Sequence, residues 1–161
     1  VFMIKYKALR FSFFLILNFL ALMIGIWLMD NGPRTVWYQS LNKAPWTPTS
    51  WVFGVAWSSI MLFFAIYMTV LSFKIKLDHE KFLLLYLYIV QWVLNISWNY
   101  FFFNKHYTIV GLIVIVSLWL LIGYFTVEYC RKMKFNTLLI LPYLIWMTIA
   151  TSLNAYIVFN N

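Results

Sequence analysis

The sequence has few charged residues and a single cysteine. Only 10% of its 161 residues are charged, whereas a soluble domain has about 25%. Hydrophobic residues make up 65% of the chain and aromatic residues 22%. This composition excludes an ordinary soluble domain and indicates a membrane protein. Cys130 stands alone, so it excludes an internal disulfide and leaves the redox compartment open.

Ionisable residues are missing from the centre of every long apolar stretch. Pumps, voltage sensors and ion-coupled transporters place such residues there, at a cost of about 2.5–3.5 kcal/mol each. Their absence argues against a pump or a secondary active transporter. The sequence also shows no internal repeat, which an inverted-repeat transporter would have.

Recognisable catalytic and metal-binding patterns are absent as well. His79, His106 and Cys130 lie between or at the ends of the apolar stretches, and no residues have the spacing of zinc or haem-iron ligands. We therefore expect no metal site and no required cofactor. No basic stripe follows any one element, so nucleic acid is not an expected partner. Any chemistry would have to use aromatic side chains.

Five uncharged stretches are long enough to cross a bilayer, which takes about 20 residues of helix. They are residues 11–29, 44–73, 82–104, 107–127 and 135–161. We predict an all-α membrane protein that forms one five-transmembrane-helix bundle over residues 1–161. The predicted helices are residues 8–29, 48–73, 80–103, 107–130 and 136–159, with an aromatic loop at residues 30–47.

The basic residues are divided unequally between the two ends of this bundle. One end holds nine of the twelve: Lys5, Lys7, Arg10, Lys74, Lys76, Lys81, Arg131, Lys132 and Lys134. Arg34, Lys43 and Lys105 lie at the other end. The positive-inside rule then predicts that the N-terminus lies in the cytoplasm. We expect a multi-pass protein of a bacterial cell membrane. The first stretch has no small-residue cleavage site after it, so we expect a retained helix rather than a signal peptide.

The stretch from Trp37 to Trp57 contains four tryptophans and two prolines. Pro45 and Pro48 exclude one continuous helix, because each lacks a backbone donor and restricts the preceding residue. We predict a non-helical chain over residues 37–47 and a helix from Pro48, with Thr47 as its N-cap. Such a loop is either an interfacial aromatic belt or the lid of a pocket for a flat apolar ligand.

Polar residues share a face with tryptophan in the third stretch. Gln91, Asn95 and Trp98 follow at i, i+4 and i+7, and therefore lie on one helical face. They are either hydrogen-bonding contacts between helices or the polar groups of a mostly apolar pocket. The third stretch by itself favours the first alternative.

The fifth stretch has a comparable face. Trp146, Ala150 and Asn154 recur every four residues, so Ala150 leaves room beside Trp146 for a flat molecule or a neighbouring helix. Pro142 near its start is expected to bend the helix. In the first stretch Ala21 and Gly25 form a small-xxx-small pair, which would let another helix approach closely.

Three segments together resemble the TspO/MBR translocator proteins, also called tryptophan-rich sensory proteins or peripheral-type benzodiazepine receptors. The first reads W-Y-x-x-L-x-K-x-P-W-x-P at residues 37–48, followed by F-G-V-A-W at 53–57. The second reads Q-W-V-L-N-I-S-W at residues 91–98, followed by F-F-F at 101–103. The third reads P-Y-L-I-W-M-T-I-A-T-S-L-N at residues 142–154.

The resemblance implies a five-helix bundle, often a homodimer. It also implies a pocket beneath the first loop that binds porphyrins such as protoporphyrin IX and synthetic isoquinoline-carboxamide ligands. The ligand-binding residues carried over are Trp46, Phe53, Trp57, Asn95, Trp98, Trp146, Ala150 and Leu153. Some members of the family promote light- and oxygen-dependent breakdown of the porphyrin, and the residues implicated by motif are Tyr38, Trp57 and Trp146.

A tetrapyrrole would place its face between Trp57, Trp98 and Trp146. Its propionates would lie at the aqueous mouth of the pocket, near Arg34 and Lys43. An alternative function is a transporter or stress-signalling scaffold for tetrapyrroles or other small apolar ligands.

The sequence departs from the family at three places. Thr49 stands where a second proline is usual, and residues 112–116 lack an acidic residue that many members carry. No basic residue follows Tyr156, as the cholesterol motif would require, so cholesterol recognition is not expected.

Overall fold

The computed structural model describes residues 2–161, and its elements within that range are helical. Val1, the first residue of the predicted 1–161 domain, lies outside the described residues. The α-helices are α1 (Phe2–Leu28), α2 (Val36–Ser40), α3 (Ser50–Lys74), α4 (Asp78–Asn99), α5 (Thr108–Met133) and α6 (Leu141–Asn160). Short 3₁₀ helices cover Gly32–Arg34 and Lys134–Leu139, and a π-helical turn covers Tyr100–Asn104.

Five of these helices are long and apolar enough to cross a membrane, which confirms the predicted five-transmembrane-helix bundle. Around the bundle, α3 packs on α1, α1 on α4, α4 on α5, and α5 on α6. A thinner contact between α6 and α3 closes the ring. We call the end that carries residues 4–10, 74–81 and 131–134 the basic end, and the opposite end the loop end.

The apolar core joins α3, α5 and α6. Phe64 is fully buried, and its ring meets the rings of Phe125 and Tyr143 edge to face, with centroids 6.1 and 5.3 Å apart. The Tyr67 hydroxyl donates to the Phe125 carbonyl at 3.1 Å. A hydroxyl inside hydrocarbon needs such a partner, so this bond fixes the register of α3 against α5.

A buried asparagine joins α1 to two neighbours. The Asn18 amide donates to the Met61 carbonyl at 3.0 Å and accepts from the Tyr88 hydroxyl at 2.7 Å. Farther along α1, a Cβ added at Gly25 would lie 2.7 Å from Asn99 Nδ2. Glycine therefore allows α1 and α4 to approach closely, as the small-xxx-small spacing predicted.

The prediction of a wholly non-helical loop over residues 37–47 is wrong. Helix α2 forms there because Thr35 has an extended backbone and its hydroxyl accepts from the Tyr38 amide at 3.3 Å, which caps the helix. Both prolines come later in the chain, so neither interrupts α2.

Three predicted helix starts also need correction. Helix α1 begins at Phe2 rather than residue 8. Helix α3 begins at Ser50 rather than Pro48, because Thr49 has an extended backbone. Thr47 does not cap α3; its amide and hydroxyl both donate to the Ala44 carbonyl and close a turn. Helix α6 begins at Leu141 rather than residue 136, so Pro142 lies in its first turn, where a proline starts a helix without bending it.

Replacing Asn18 with alanine should destabilise the protein. The change leaves the Tyr88 hydroxyl without its partner inside the bundle, and we expect a loss of about 1–2 kcal/mol in the free energy of unfolding. Chemical unfolding in detergent micelles would measure it. The matched control is Ser117→Ala, because the Ser117 hydroxyl bonds only within its own helix, at 2.8 Å. Equal stability of the two variants would contradict the assigned role of Asn18.

Candidate ligand-binding site

The first part of the aromatic loop is docked on the π-helical turn. Trp37 meets Phe102 edge to face at 5.8 Å, and Tyr38 lies 5.3 Å from Phe103. Trp98 stacks on Phe102 at 5.6 Å with the ring planes 12° apart. We call these five residues the lid cluster. Because they come from α2, α4 and the π turn, the cluster holds the loop over the loop end of the bundle.

The π turn owes its position to a glycine on α5. A Cβ added at Gly111 would lie 3.0 Å from the Phe102 Cβ, so α5 approaches the turn closely only because this residue has no side chain. On the outer side of the lid cluster, His106 stacks on Trp37 at 4.0 Å with the ring planes 14° apart. His106 therefore supports the lid from the exposed surface.

The second part of the loop is tied to α6. The Asn42 amide donates to Asn161 Oδ1 at 2.8 Å, and Asn161 Nδ2 donates to the Asn42 carbonyl at 3.2 Å. Four residues later, Trp46 Nε1 donates to Ser152 Oγ at 3.1 Å. The loop thus runs along α6 from its end towards its middle, and α3 begins part-way into the bundle.

This descent brings the first turns of α3 against the first turns of α6. Phe53 meets Trp146 edge to face at 5.3 Å, and Trp57 meets Tyr143 in the same way at 6.1 Å. We call these four residues the deep aromatic cluster. Trp146 is only 6% exposed, so its indole points into the protein rather than into lipid.

Helices α4 and α6 face each other between the two clusters. Gln91 Nε2 donates to the Tyr143 hydroxyl at 2.8 Å, which places Gln91 and Tyr143 on the facing surfaces. Asn95 and Trp98 follow Gln91 on the same face of α4. Trp146, Ala150 and Asn154 follow Tyr143 on the same face of α6. We take these two facing surfaces as the candidate site.

Unpaired polar atoms are concentrated at this site. Within the described part of the chain, the fully buried side-chain polar atoms without a hydrogen-bond partner are Gln91 Oε1, Trp98 Nε1, Trp146 Nε1, Thr151 Oγ1 and Asn154 Oδ1. All of them belong to α4 or α6. Leaving a polar group buried and unpaired costs about 1–3 kcal/mol. A bound molecule that offers acceptors to the two indoles and donors to the two amide oxygens would recover that free energy.

The predicted ligand-binding residues fall into an inner and an outer set. Asn95, Trp146, Ala150 and Leu153 are buried, and Phe53, Trp57 and Trp98 are half-buried. Trp46 is 54% exposed and lies on the outer side of α6 beside Tyr156, with the ring centroids 5.5 Å apart. It borders the site from outside, whereas the inner residues line it. Their part in binding remains a prediction.

The two predicted propionate contacts also differ in position. Arg34 is exposed at the end of the first 3₁₀ turn. Lys43 is half-buried, with its ammonium 4.9 Å from the centroid of the Tyr38 ring. Both lie in the loop above the bundle, so each provides positive charge on the aqueous side of the lid.

An apolar cleft of about 320 Å³ adjoins the deep aromatic cluster at the seam between α3 and α6. Its walls are Ala56, Ser59, Ile60, Pro142, Ile145 and Trp146. Pockets for drug-sized ligands are about 300–1,000 Å³, so this volume is at the small end. A tetrapyrrole would have to widen the space beside Trp146, which lies at the thin contact between α3 and α6.

Sequence reasoning missed Tyr143, Thr151 and the part played by Phe102. Gln91 and Asn95, four residues apart in the third stretch, indicated a polar face. The partner of that face could not be predicted, because Gln91 and Tyr143 are separated by 52 positions. No sequence pattern predicts the π-helical turn that carries Phe102.

The chain matches the sequence model of the TspO/MBR family over residues 13–159. It is 34% identical over 119 residues to protein CrtK of Rhodobacter capsulatus, covering 73% of this chain and 74% of that protein. It is 32% identical over 118 residues to the tryptophan-rich sensory protein of Cereibacter sphaeroides, covering 73% and 72%. It is also 30% identical over 125 residues to the tryptophan-rich protein TspO of Archaeoglobus fulgidus, covering 73% and 75%.

The docking of the lid should depend on pH through Tyr38. Burial raises the pKa of the Tyr38 phenol above its ordinary value of 10.0. The neutral phenol therefore stabilises the docked loop fully below about pH 10, and this stabilisation is lost as the pH rises through the higher pKa. Ultraviolet absorbance would be titrated against pH in the wild type and in Tyr38→Phe. The difference between the two curves reports the ionisation of the Tyr38 phenol. A difference curve that titrates at or below the value of free tyrosine would contradict the docked position.

Proposed function

The chain belongs to the TspO/MBR family, and from this premise we propose that it binds a tetrapyrrole of the protoporphyrin IX type within the membrane. The binding place is the surface between α4 and α6, beneath the docked loop. The observation that carries the proposal is the set of buried, unpaired polar atoms on those two helices, flanked by two aromatic clusters.

The chemistry of this site suits a flat apolar ring with a polar edge. Stacking on an aromatic side chain contributes about 0.5–1.5 kcal/mol per pair beyond area burial, and Trp57, Trp98 and Trp146 are all at least half-buried. The indole N–H groups of Trp98 and Trp146 would donate to acceptor atoms of the ring or its substituents. Several such contacts together are compatible with micromolar affinity, which corresponds to about −8 kcal/mol.

The carboxylates of a tetrapyrrole need an environment that the bundle interior does not offer. Two propionates carry negative charge at neutral pH, and the candidate site has no cation among its lining residues. Lys43 lies directly over the Tyr38 ring at the lid, and Arg34 lies nearby in the loop sequence. We propose that the propionates point towards the loop end, where these two side chains and water neutralise them.

The protein is a multi-pass integral membrane protein. The excess of basic residues at one end supports an orientation with that end in the cytoplasm of a bacterial cell. We also propose a homodimer, as the family resemblance implies.

Removing the two deep indoles should weaken porphyrin binding. We expect Trp57→Leu with Trp146→Leu to raise the dissociation constant of protoporphyrin IX at least tenfold, because two stacking contacts and one N–H donor are lost. Porphyrin fluorescence in detergent solution would report the titration. The matched control is Trp119→Leu, since Trp119 Nε1 bonds to Thr148 Oγ1 at 3.0 Å, outside the site. Unchanged affinity in the double variant would contradict binding between these rings.

We further propose that bound porphyrin is degraded in light and oxygen with the help of pocket side chains. The contact of Trp57 with Tyr143, at 6.1 Å between ring centroids, supports this second function. A photoexcited porphyrin beside the pair could oxidise an indole or phenol, or pass its energy to dioxygen, without any acid–base residue. Tyr38 lies in the lid cluster, so it would react only with the side of the porphyrin that faces the loop.

Illumination should separate degradation from binding. Porphyrin absorbance should fall faster with the protein than with detergent alone. Trp57→Phe with Trp146→Phe should reduce that excess, because phenylalanine is much harder to oxidise than tryptophan. The affinity must be measured in parallel, so that both samples hold equal amounts of bound porphyrin. Equal loss in the wild type and the double variant would leave the protein as a binder only.

A further inference from the structure

A second cavity lies at the basic end, and none of its lining residues belongs to the candidate site. It has a volume of about 280 Å³ and opens between α1, α3 and α4. Phe14, Leu84 and Tyr88 form its buried floor, and Phe13 and Leu85 form its exposed rims. Two cations, Arg10 and Lys81, also line it. The cavity thus combines an apolar groove with positive charge at one end.

The guanidinium of Arg10 is held in place by α3. Arg10 Nη1 donates to the Ser72 carbonyl at 3.0 Å and to Ser72 Oγ at 3.2 Å. The guanidinium carbon lies 4.2 Å from the centroid of the Phe73 ring. These contacts use only one of the three guanidinium nitrogens. A planar guanidinium fixed in this way is suited to an oxyanion with two oxygens, such as a phosphate.

Arg10 also has no carboxylate partner in the structure. Within residues 2–161 the ion pairs join Lys81 to Asp78 and Lys132 to Glu80. The Lys81–Asp78 pair, at 2.8 Å, is largely exposed to solvent, so its attraction is weak. Lys81 therefore keeps donors that can turn to a second anion, and Arg10 has its positive charge unmatched.

The position of the cavity places it at the boundary between headgroups and acyl chains. Ser72 lies two residues before the end of α3, and Lys81 lies three residues after the start of α4. The floor residues are farther into the bundle, where hydrocarbon surrounds the protein. An amphiphile in this cavity would have its anionic group at Arg10 and Lys81 and its chain along Phe13 and Leu85.

We propose that this cavity is a binding site for one anionic phospholipid. The phosphate lies between Arg10 and Lys81, and one acyl chain lies in the groove between α1 and α4. Moving a chain from the bilayer into an apolar groove gains little, because lipid tails are as apolar as leucine. Selectivity therefore comes from the headgroup, and basic pockets between helices favour anionic lipids for this reason.

The test is native mass spectrometry of the full chain with phosphatidylglycerol or phosphatidylcholine added. We expect the first phosphatidylglycerol to bind about fivefold more tightly than phosphatidylcholine, and Arg10→Gln to remove most of that preference. The matched control is Arg131→Gln, which removes one charge from the same end but does not line the cavity. If both variants lost the preference for phosphatidylglycerol equally, the lipid would be attracted to the basic end as a whole, and the proposal would be overturned.

A second variant tests the groove independently of charge. Leu85→Trp keeps both cations and fills the exposed rim; Leu85 is 52% exposed, so the larger side chain has room. We expect this variant to lose the tightest phosphatidylglycerol. Retention of that lipid would overturn the groove assignment. Excess inorganic phosphate should not displace the lipid; displacement would show a site for free phosphate instead.

Discussion

Polar groups inside hydrocarbon have no water to bind, and this constraint governs how the bundle is assembled. The described interhelical hydrogen bonds of Asn18, Tyr67 and Gln91 each connect two spanning helices. These bonds set the register of helices whose apolar surfaces alone would slide against each other at little cost, since lipid is equally apolar. The unpaired buried atoms of α4 and α6 are therefore exceptions among the described residues, and they mark the two facing surfaces that we take as the candidate site.

The aromatic loop links that place to the aqueous surface. Its prolines keep residues 45–48 out of helix, so the chain descends along α6 before α3 begins. As a result Phe53 reaches Trp146, although the two residues lie near the starts of helices that cross the bundle in opposite directions. Before this descent, Trp37 and Tyr38 hold the loop on the π turn. The side that covers the site is thus held by ring contacts, while the seam between α3 and α6 has only a thin contact.

The two ends of the bundle offer different environments to ligands. The loop end combines buried rings with two cations in the loop, which suits a flat ring with an acidic edge. The basic end combines an apolar groove with Arg10, a cation whose charge no carboxylate balances within the described residues.

The sequence by itself determined the number of spans, the unequal charge of the two ends and the family. These features depend on composition and local pattern, because about 20 apolar residues cross a bilayer whatever their neighbours are. It also indicated which faces of the third and fifth stretches carry polar and aromatic groups. Helix α2 was missed because its start depends on the Thr35 cap and not on the prolines. The start of α3 was placed two residues too early because the backbone of Thr49 is extended. Only the tertiary structure decided that Gln91 meets Tyr143, that Phe53 meets Trp146 and that Trp46 lies outside. Those pairings depend on how far each helix is shifted along its neighbour, and no pattern within a single segment encodes that shift.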